Sequence, residues 1–296
     1  MRFAVNALNF GLHGSAETLA AWAHNAEEAG FHAVMVSDHV AVTPDVAEQY
    51  RAPFYDPFAT LAWLAARTER VRLGTTVAIL PYRSPLLTAR MAANIDHFSG
   101  GRFILGVGIS WPRQEYAALG VPFAKRGRIA DDYLAAITEL WTRDTASIDT
   151  PSVSFADVQT GPRPLQDPHP PIWVGGNSRA AAVRAVRFGT GWHPINVTPG
   201  WLAEEGLPML RAAAEREGRP VPALHPRIAL PQEGLDAGGL RRVRDDLLAF
   251  EDLGADWVLF DSYAGKPELQ RPFTEDWAMF ETLADRVLDL GGGTVR

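Results

Sequence analysis

Eight short apolar runs, each followed by residues with helical periodicity, limit what this chain can fold into. They are FAVNAL (3–8), VMV (34–36), VRLGTTVAIL (71–80), FILGVG (103–108), PIWVGG (171–176), GWHPIN (191–196), HPRIAL (225–230) and DWVLFD (256–261). Apart from one long gap between the fourth and fifth, successive runs begin about 20 to 40 residues apart, the spacing of βα units. The rhythm repeats in detail: AEEAGFHAVMVSD and FEDLGADWVLFD both read as a helix end, a glycine, then a strand closing on Asp. Eight such units in 296 residues, with no long Pro/Gly/Ser linker, predict a single domain over 1–296: a (β/α)8 TIM barrel with an insertion between strands 4 and 5. A doubly wound sheet is the competing architecture. The first βα turn, LNFGLHGS, lacks the G-x-G-x-x-G fingerprint of a dinucleotide-binding domain of that kind.

Helix boundaries follow from local chemistry. Ser15 is placed to cap a helix whose buried face is Leu19, Trp22, Ala23 and Ala26 and which ends at Gly30. A second helix covers 56–68, and Ser84-Pro85 opens a third that runs to Phe98. The formal net charge of −7 disfavours non-specific nucleic-acid binding. With no cysteine, disulfides and thiolate chemistry are excluded. No apolar run approaches membrane-spanning length and no signal peptide is read at the N-terminus, so a cytoplasmic protein is expected.

In a barrel of this kind functional groups gather where strands end. Strand two runs straight into Ser37, Asp38 and His39, a hydroxyl, a carboxylate and an imidazole at the rim; an Asp-capped loop with a solvated His would read the same way. Strand three carries Gly74, Thr75 and Thr76, which fits a bulge or an ordinary strand with β-branched residues. Gly106 and Gly108 end strand four, leaving room for a flat ligand or for tight packing, with Trp111 and Tyr116 as walls. After strand five, Gly175-Gly176-Asn177-Ser178 opens a helix and offers free N–H groups, with Arg179 nearby; it suits a phosphate, or simply a capped helix. Trp192 and His193 end strand six. The histidines share no ligand spacing, so no metal site is expected, and no G-x-S-x-G elbow is present.

Taken in order, AEEAGFHAVMVSDHV, RVRLGTTVAILPYRSP, DHFSGGRFILGVGISW, RGRIADDYLAAITELW and PPIWVGGNS resemble the luciferase-like monooxygenase superfamily, and within it the oxidoreductases that use the deazaflavin coenzyme F420. The resemblance implies that Asp38 and His39 face the tricyclic ring, with His39 moving the proton and Asp38 holding its tautomer or accepting a hydrogen bond from the ring. It places a bulge, often with a non-prolyl cis peptide, at Thr76-Val77 behind the ring. Gly108 and Ser110 would lie beside the ring, and Gly175, Gly176, Asn177 and Ser178 would bind the phosphate. Tyr82, Trp111, Trp192 and His193 are the expected wall of the substrate pocket, and Arg113, Arg126 and Arg179 would offset the cofactor's negative charge. The implied activity is hydride transfer between the deazaflavin C5 and a small organic substrate, by a homodimer. The alternatives are an FMN-dependent monooxygenase, served by a separate reductase and using oxygen, and a flavin-binding barrel without turnover.

Overall fold

The computed structural model describes residues 1–232 and 234–296. Strands β1 (Arg2–Ala7), β2 (Ala33–Val36), β3 (Arg72–Thr75), β4 (Ala78–Ile79) and β5 (Phe103–Gly108) are followed by a hairpin of β6 (Ala146–Asp149) and β7 (Ser154–Val158). Then come β8 (Ile172–Gly175), β9 (Gly191–His193), β10 (Ala223–Leu224), β11 (Arg227–Ala229) and β12 (Trp257–Asp261). All eight apolar runs form strands. The main sheet is parallel, in the order β10-β9-β8-β5-β3-β2-β1-β12-β11, with β4 added beside β5. Its two ends, β10 and β11, are halves of one stretch broken only at His225-Pro226. Bridges from Leu224 to Ala255 and from Ile195 to Arg227 tie each half to the other's neighbour, so the sheet curls back on itself. A doubly wound sheet would leave those edges apart.

The helices that cover the sheet are α1 (Ala16–Ala29), α2 (Pro44–Ala47), α3 (Pro57–Ala65), α4 (Pro85–Phe98), α5 (Arg113–Ala118), α6 (Arg126–Thr142) and α7 (Arg179–Phe188). They continue as α8 (Pro199–Trp201), α9 (Leu207–Glu217), α10 (Ala237–Asp252) and α11 (Phe273–Arg286), with a π turn over Leu202–Gly206 joining α8 to α9. Between β5 and β8 the chain makes α5 and α6 and then the antiparallel β6–β7 hairpin. Ser15 caps α1 through a reciprocal pair with Thr18, and Gly30 ends it at φ 91°, a left-handed conformation that suits glycine. Asp56 caps α3, which stops at Ala65, short of the 56–68 predicted.

Alternation along the strands divides the core in two. Phe3, Val5, Val34, Val36, Phe103 and Leu105 face the helices. Ala4, Met35, Ile104, Trp173, Trp257 and Leu259 form a separate cluster inside the curl. Both faces are dry, which is why these strands read as continuous apolar runs. His225 extends the inner cluster, its ring 4.3 Å from that of Trp173, and His193 lies 5.6 Å from the same indole. Burial disfavours the charged form of both imidazoles and brings His193 down to about 4 and His225 to about 3.

Two predictions concern stability. The unfolded chain takes up protons on these histidines near 6.5, while the folded rings resist to about 4 and about 3. Stability should therefore fall as the pH drops from 6.5 towards 4, and His225→Gln should flatten that slope in thermal denaturation curves recorded across the range. A Cβ on Gly106 would stand 1.9 Å from the Thr75 carbonyl oxygen. Gly106→Ala should accordingly cost about 3 kcal/mol or more, read as a lowered denaturant midpoint.

Candidate functional site

The carboxyl ends of β2, β3, β5 and β8 and the first residue of β11, Arg227, surround a cleft of about 380 Å³. Its lining brings together Asp38, His39, Thr76, Val77, Gly108, Ser110, Trp111, Gly175, Gly176 and Ser178 from the sequence-level expectations. The loop after β2 is clamped from β1: Asn9 accepts from the Ser37 amide at 3.0 Å and donates to the carbonyls of Ser37 and Tyr55 at 2.9 and 2.7 Å.

Asp38 and His39 have separate partners. Arg83 grips Asp38 with two hydrogen bonds of 2.6 and 2.9 Å, and the Ile79 amide donates to it at 2.8 Å. Asp38 makes no hydrogen bond to His39. The imidazole is instead held by Glu115, whose Oε2 lies 2.7 Å from Nδ1. Holding the tautomer, expected of Asp38, is thus the work of Glu115, a carboxylate on α5. Glu115 is fully buried and uses both oxygens: Oε1 accepts from the amides of Val40 and Ala41 at 2.6 and 3.0 Å, and Oε2 also accepts from the Tyr82 hydroxyl at 2.9 Å. Burial by itself raises the pKa of this carboxyl, but the hydrogen bonds and the adjacent imidazole outweigh it and bring it below its ordinary value. An ionised carboxylate can only accept, which assigns the proton to Nδ1 and leaves Nε2 of His39 without a partner among the described residues. The ring is boxed in by Tyr50, Phe54 and Trp111, at centroid distances of 5.1, 5.3 and 6.5 Å.

The floor is the Thr76–Val77 peptide, which is cis. The Thr76 amide donates to Val36 at 2.7 Å, and its carbonyl accepts from Arg227 at 2.9 Å and from the Ser37 hydroxyl at 3.4 Å. Arg227 is buried; its guanidinium pairs with Asp261, which also accepts from Asn6 at 2.8 Å. Val77 explains two of the glycines. A Cβ on Gly108 would meet one Val77 methyl at 2.5 Å, and a Cβ on Gly175 the other at 2.8 Å. The space over Gly106 and Gly108 is therefore occupied by Thr75 and Val77 themselves, as tight packing would have it, and Val77 forms the ridge on which a flat ligand can rest.

At the far end, Gly176 turns the chain at φ 111° and Ser178 caps α7 by accepting from the Ala181 amide at 3.2 Å. Arg184, on the second turn of α7, lines the cleft and is braced by Asp131 at 2.5 Å and by the Gly127 carbonyl at 3.0 Å.

Four expected site residues lie elsewhere or act from behind. Trp192 is fully buried and donates to the Gly176 carbonyl at 2.9 Å, so it supports the turn rather than touching the cleft. His193 is also buried, spanning Thr76 Oγ1 at 3.0 Å and the His225 carbonyl at 2.5 Å. Tyr82 is turned to Glu115. Asn177 folds back on Ile195, accepting from its amide at 2.7 Å and donating to its carbonyl at 2.8 Å. Among the expected arginines, Arg113 and Arg126 stack on the Phe123 ring at 4.2 and 3.8 Å, and Arg179 lines a neighbouring groove. The sequence reading missed Glu115, Arg227, Asp261 and Arg184. Asp261 closes its strand, which was a usable signal; Arg227 lies inside the HPRIAL run, and Glu115 carried no signal beyond being an acid in the first turn after the strand-four rim.

The chain is similar to known proteins. The chain is 32% identical over 228 residues to a putative coenzyme F420-dependent oxidoreductase of Mycobacterium tuberculosis, covering 75% of this chain and 57% of that protein. An FMNH(2)-dependent dimethylsulfone monooxygenase of Pseudomonas putida is 34% identical over 161 residues, covering 53% of this chain and 44% of the other. The fold is shared with the crystal structure of monooxygenase RslO1 from Streptomyces bottropensis, with a TM-score of 0.78, 24% identity and coverage of 96% and 98%. The family model for luciferase-like monooxygenases matches residues 1–232, and the chain belongs to that family, whose members are oxidoreductases.

Proposed function

We propose that the protein is a coenzyme F420-dependent oxidoreductase acting on a small organic substrate at the mouth of a closed (β/α)8 barrel, with residues 151–169 within the insertion between its fourth and fifth strands. The observation that carries this is the His39–Glu115 pair. An imidazole whose Nδ1–H is fixed on a buried carboxylate presents Nε2 as a base, and the carboxylate stabilises the imidazolium once the proton has moved. A dehydrogenation needs such a group beside the ring, because loss of hydride from an alcohol carbon is accompanied by loss of the hydroxyl proton.

The residues present fit the cofactor. The cleft volume lies within the range usual for small-molecule sites. Ser178, the first turn of α7 and the Arg184 guanidinium form a donor set suited to a phosphate. When bound, the deazaflavin supplies a carbon that gives or accepts hydride. Val77 would support the ring, and Arg227 fixes the peptide that carries Val77. Trp111 closes the substrate side. His39 holds or moves the proton at Nε2, while Tyr82 and the Val40 and Ala41 amides keep Glu115 in place. Asp38, with both oxygens engaged, anchors the wall through Arg83. Among the described residues no helix is long and apolar enough to cross a membrane, and the proposal carries a cytoplasmic homodimer.

A second reading, a monooxygenase using reduced FMN and oxygen with a separate reductase, is favoured by the dimethylsulfone relative and by a phosphate seat that would serve FMN as well.

Binding titrations of the purified protein should show tighter binding of the deazaflavin than of FMN. Tighter FMN binding, with oxygen consumed when a flavin reductase is added, would decide for the monooxygenase. Cofactor bound but never reduced by a panel of alcohols would instead point to a carrier. His39→Ala should slow turnover by about 10²-fold or more while leaving the cofactor Kd within about threefold; equal losses in both would make His39 a docking residue. Glu115→Gln should reproduce part of the turnover loss.

A further inference from the structure

At the amino ends of the strands, opposite the cleft, the inside of the curl finishes in two arginines. Arg2 opens β1 and Arg72 opens β3. By the two-residue alternation Arg2 shares a face with Ala4, and Arg72 with Gly74, where an added Cβ would stand 2.8 Å from the Met35 methyl; Ala4 and Met35 belong to the inner cluster. Both arginines, with Trp257, line two adjoining cavities of about 530 and 520 Å³. The first is walled by the indoles of Trp173 and Trp257, 5.2 Å apart, and reaches His225, whose Nδ1 is buried without a hydrogen-bond partner among the described residues.

The charges here are poorly matched. Arg2 lies over the Trp257 ring at 5.4 Å, and Arg72 donates to the neutral Gln166 side chain at 2.9 Å. Neither forms an ion pair among the described residues. Burial lowers the pKa of Arg72, His32 and His225, and in each the positive charge of Arg2 adds to it. Three carboxylates stand near. Glu27 is engaged by the amides of Glu69, Arg70 and Val71, and Asp96, which Arg72 feels, by the Leu165 and Gln166 amides and the Gln166 side chain. Asp256 lines the first cavity but is exposed, where water and salt weaken its field.

We propose that this cavity is a second ligand site, independent of the cleft, for a small carboxylate with a flat apolar body. The carboxylate takes the guanidinium groups of Arg2 and Arg72, whose planar forks match its two oxygens. The body lies against Trp173 and Trp257, which a bare phosphate would leave uncovered. The volume lies within the range usual for such ligands.

The test is a calorimetric titration of the full chain with three probes: benzoate, the neutral benzamide of the same shape, and inorganic phosphate. Benzoate should bind about tenfold tighter than either at low salt, and the advantage should shrink as ionic strength rises. Arg2→Gln should remove most of that advantage, Arg2→Lys should restore part of it, and Asp256→Asn should enlarge it. Arg2 and Asp256 are exposed, so these changes leave the core intact. Benzamide or phosphate binding as tightly as benzoate overturns the proposal. So does benzoate binding that survives Arg2→Gln but is lost on Arg184→Gln, which would place the anion in the cleft. None of these outcomes bears on the cofactor reading, which stands or falls on its own titrations.

Discussion

The site depends on one buried carboxylate. Glu115 receives four hydrogen bonds, from two amides of the loop after β2, from the Tyr82 hydroxyl and from His39. It thereby joins three segments far apart in sequence. A buried ionised carboxylate with fewer donors would be costly, since desolvation is repaid only when its lone pairs are filled. Filled, it fixes the orientation of the imidazole as well as its charge state, and the loop that carries His39 cannot move without breaking the two backbone bonds. His39, the proposed catalytic group, is thus positioned by a residue that itself lines no part of the cleft.

The opposite wall is organised by a second buried pair. Arg227, the first residue of β11, and Asp261, the last of β12, lie on adjacent strands, and the arginine directs one of its remaining donors to the Thr76 carbonyl. Thr76 is further held by Val36 and His193, so the cis peptide at the floor of the cleft is fixed from several directions. Packing and polar contacts act together here: Val77 can occupy its position only because Gly108 and Gly175 lack side chains. Bulk at either glycine would displace the floor rather than merely narrow the cleft. The two pairs lie on either side of the cleft, and His39, Tyr50, Ser110 and Ser178 are among the polar residues that line it.

Local sequence determined most of the fold. Apolar runs buried on both faces, caps such as Ser15 and Asp56, and the glycine at position 30 act over a few residues, so the strand positions and the starts of α1, α3 and α4 could be read directly. It also placed Asp38, His39 and the Gly175–Ser178 turn at the rim, because a strand's last residues are known once the strand is known. Only the tertiary structure decided which of these groups work together. Glu115 meets His39 across 76 residues and Arg227 meets Asp261 across 34; such pairings exist only after the sheet has curled. For the same reason Tyr82, Trp192 and His193, all near the rim in sequence, turned out to support the site from behind: a strand fixes the height of a residue, whereas its side chain's direction depends on the pleat, the local twist and what is packed beside it.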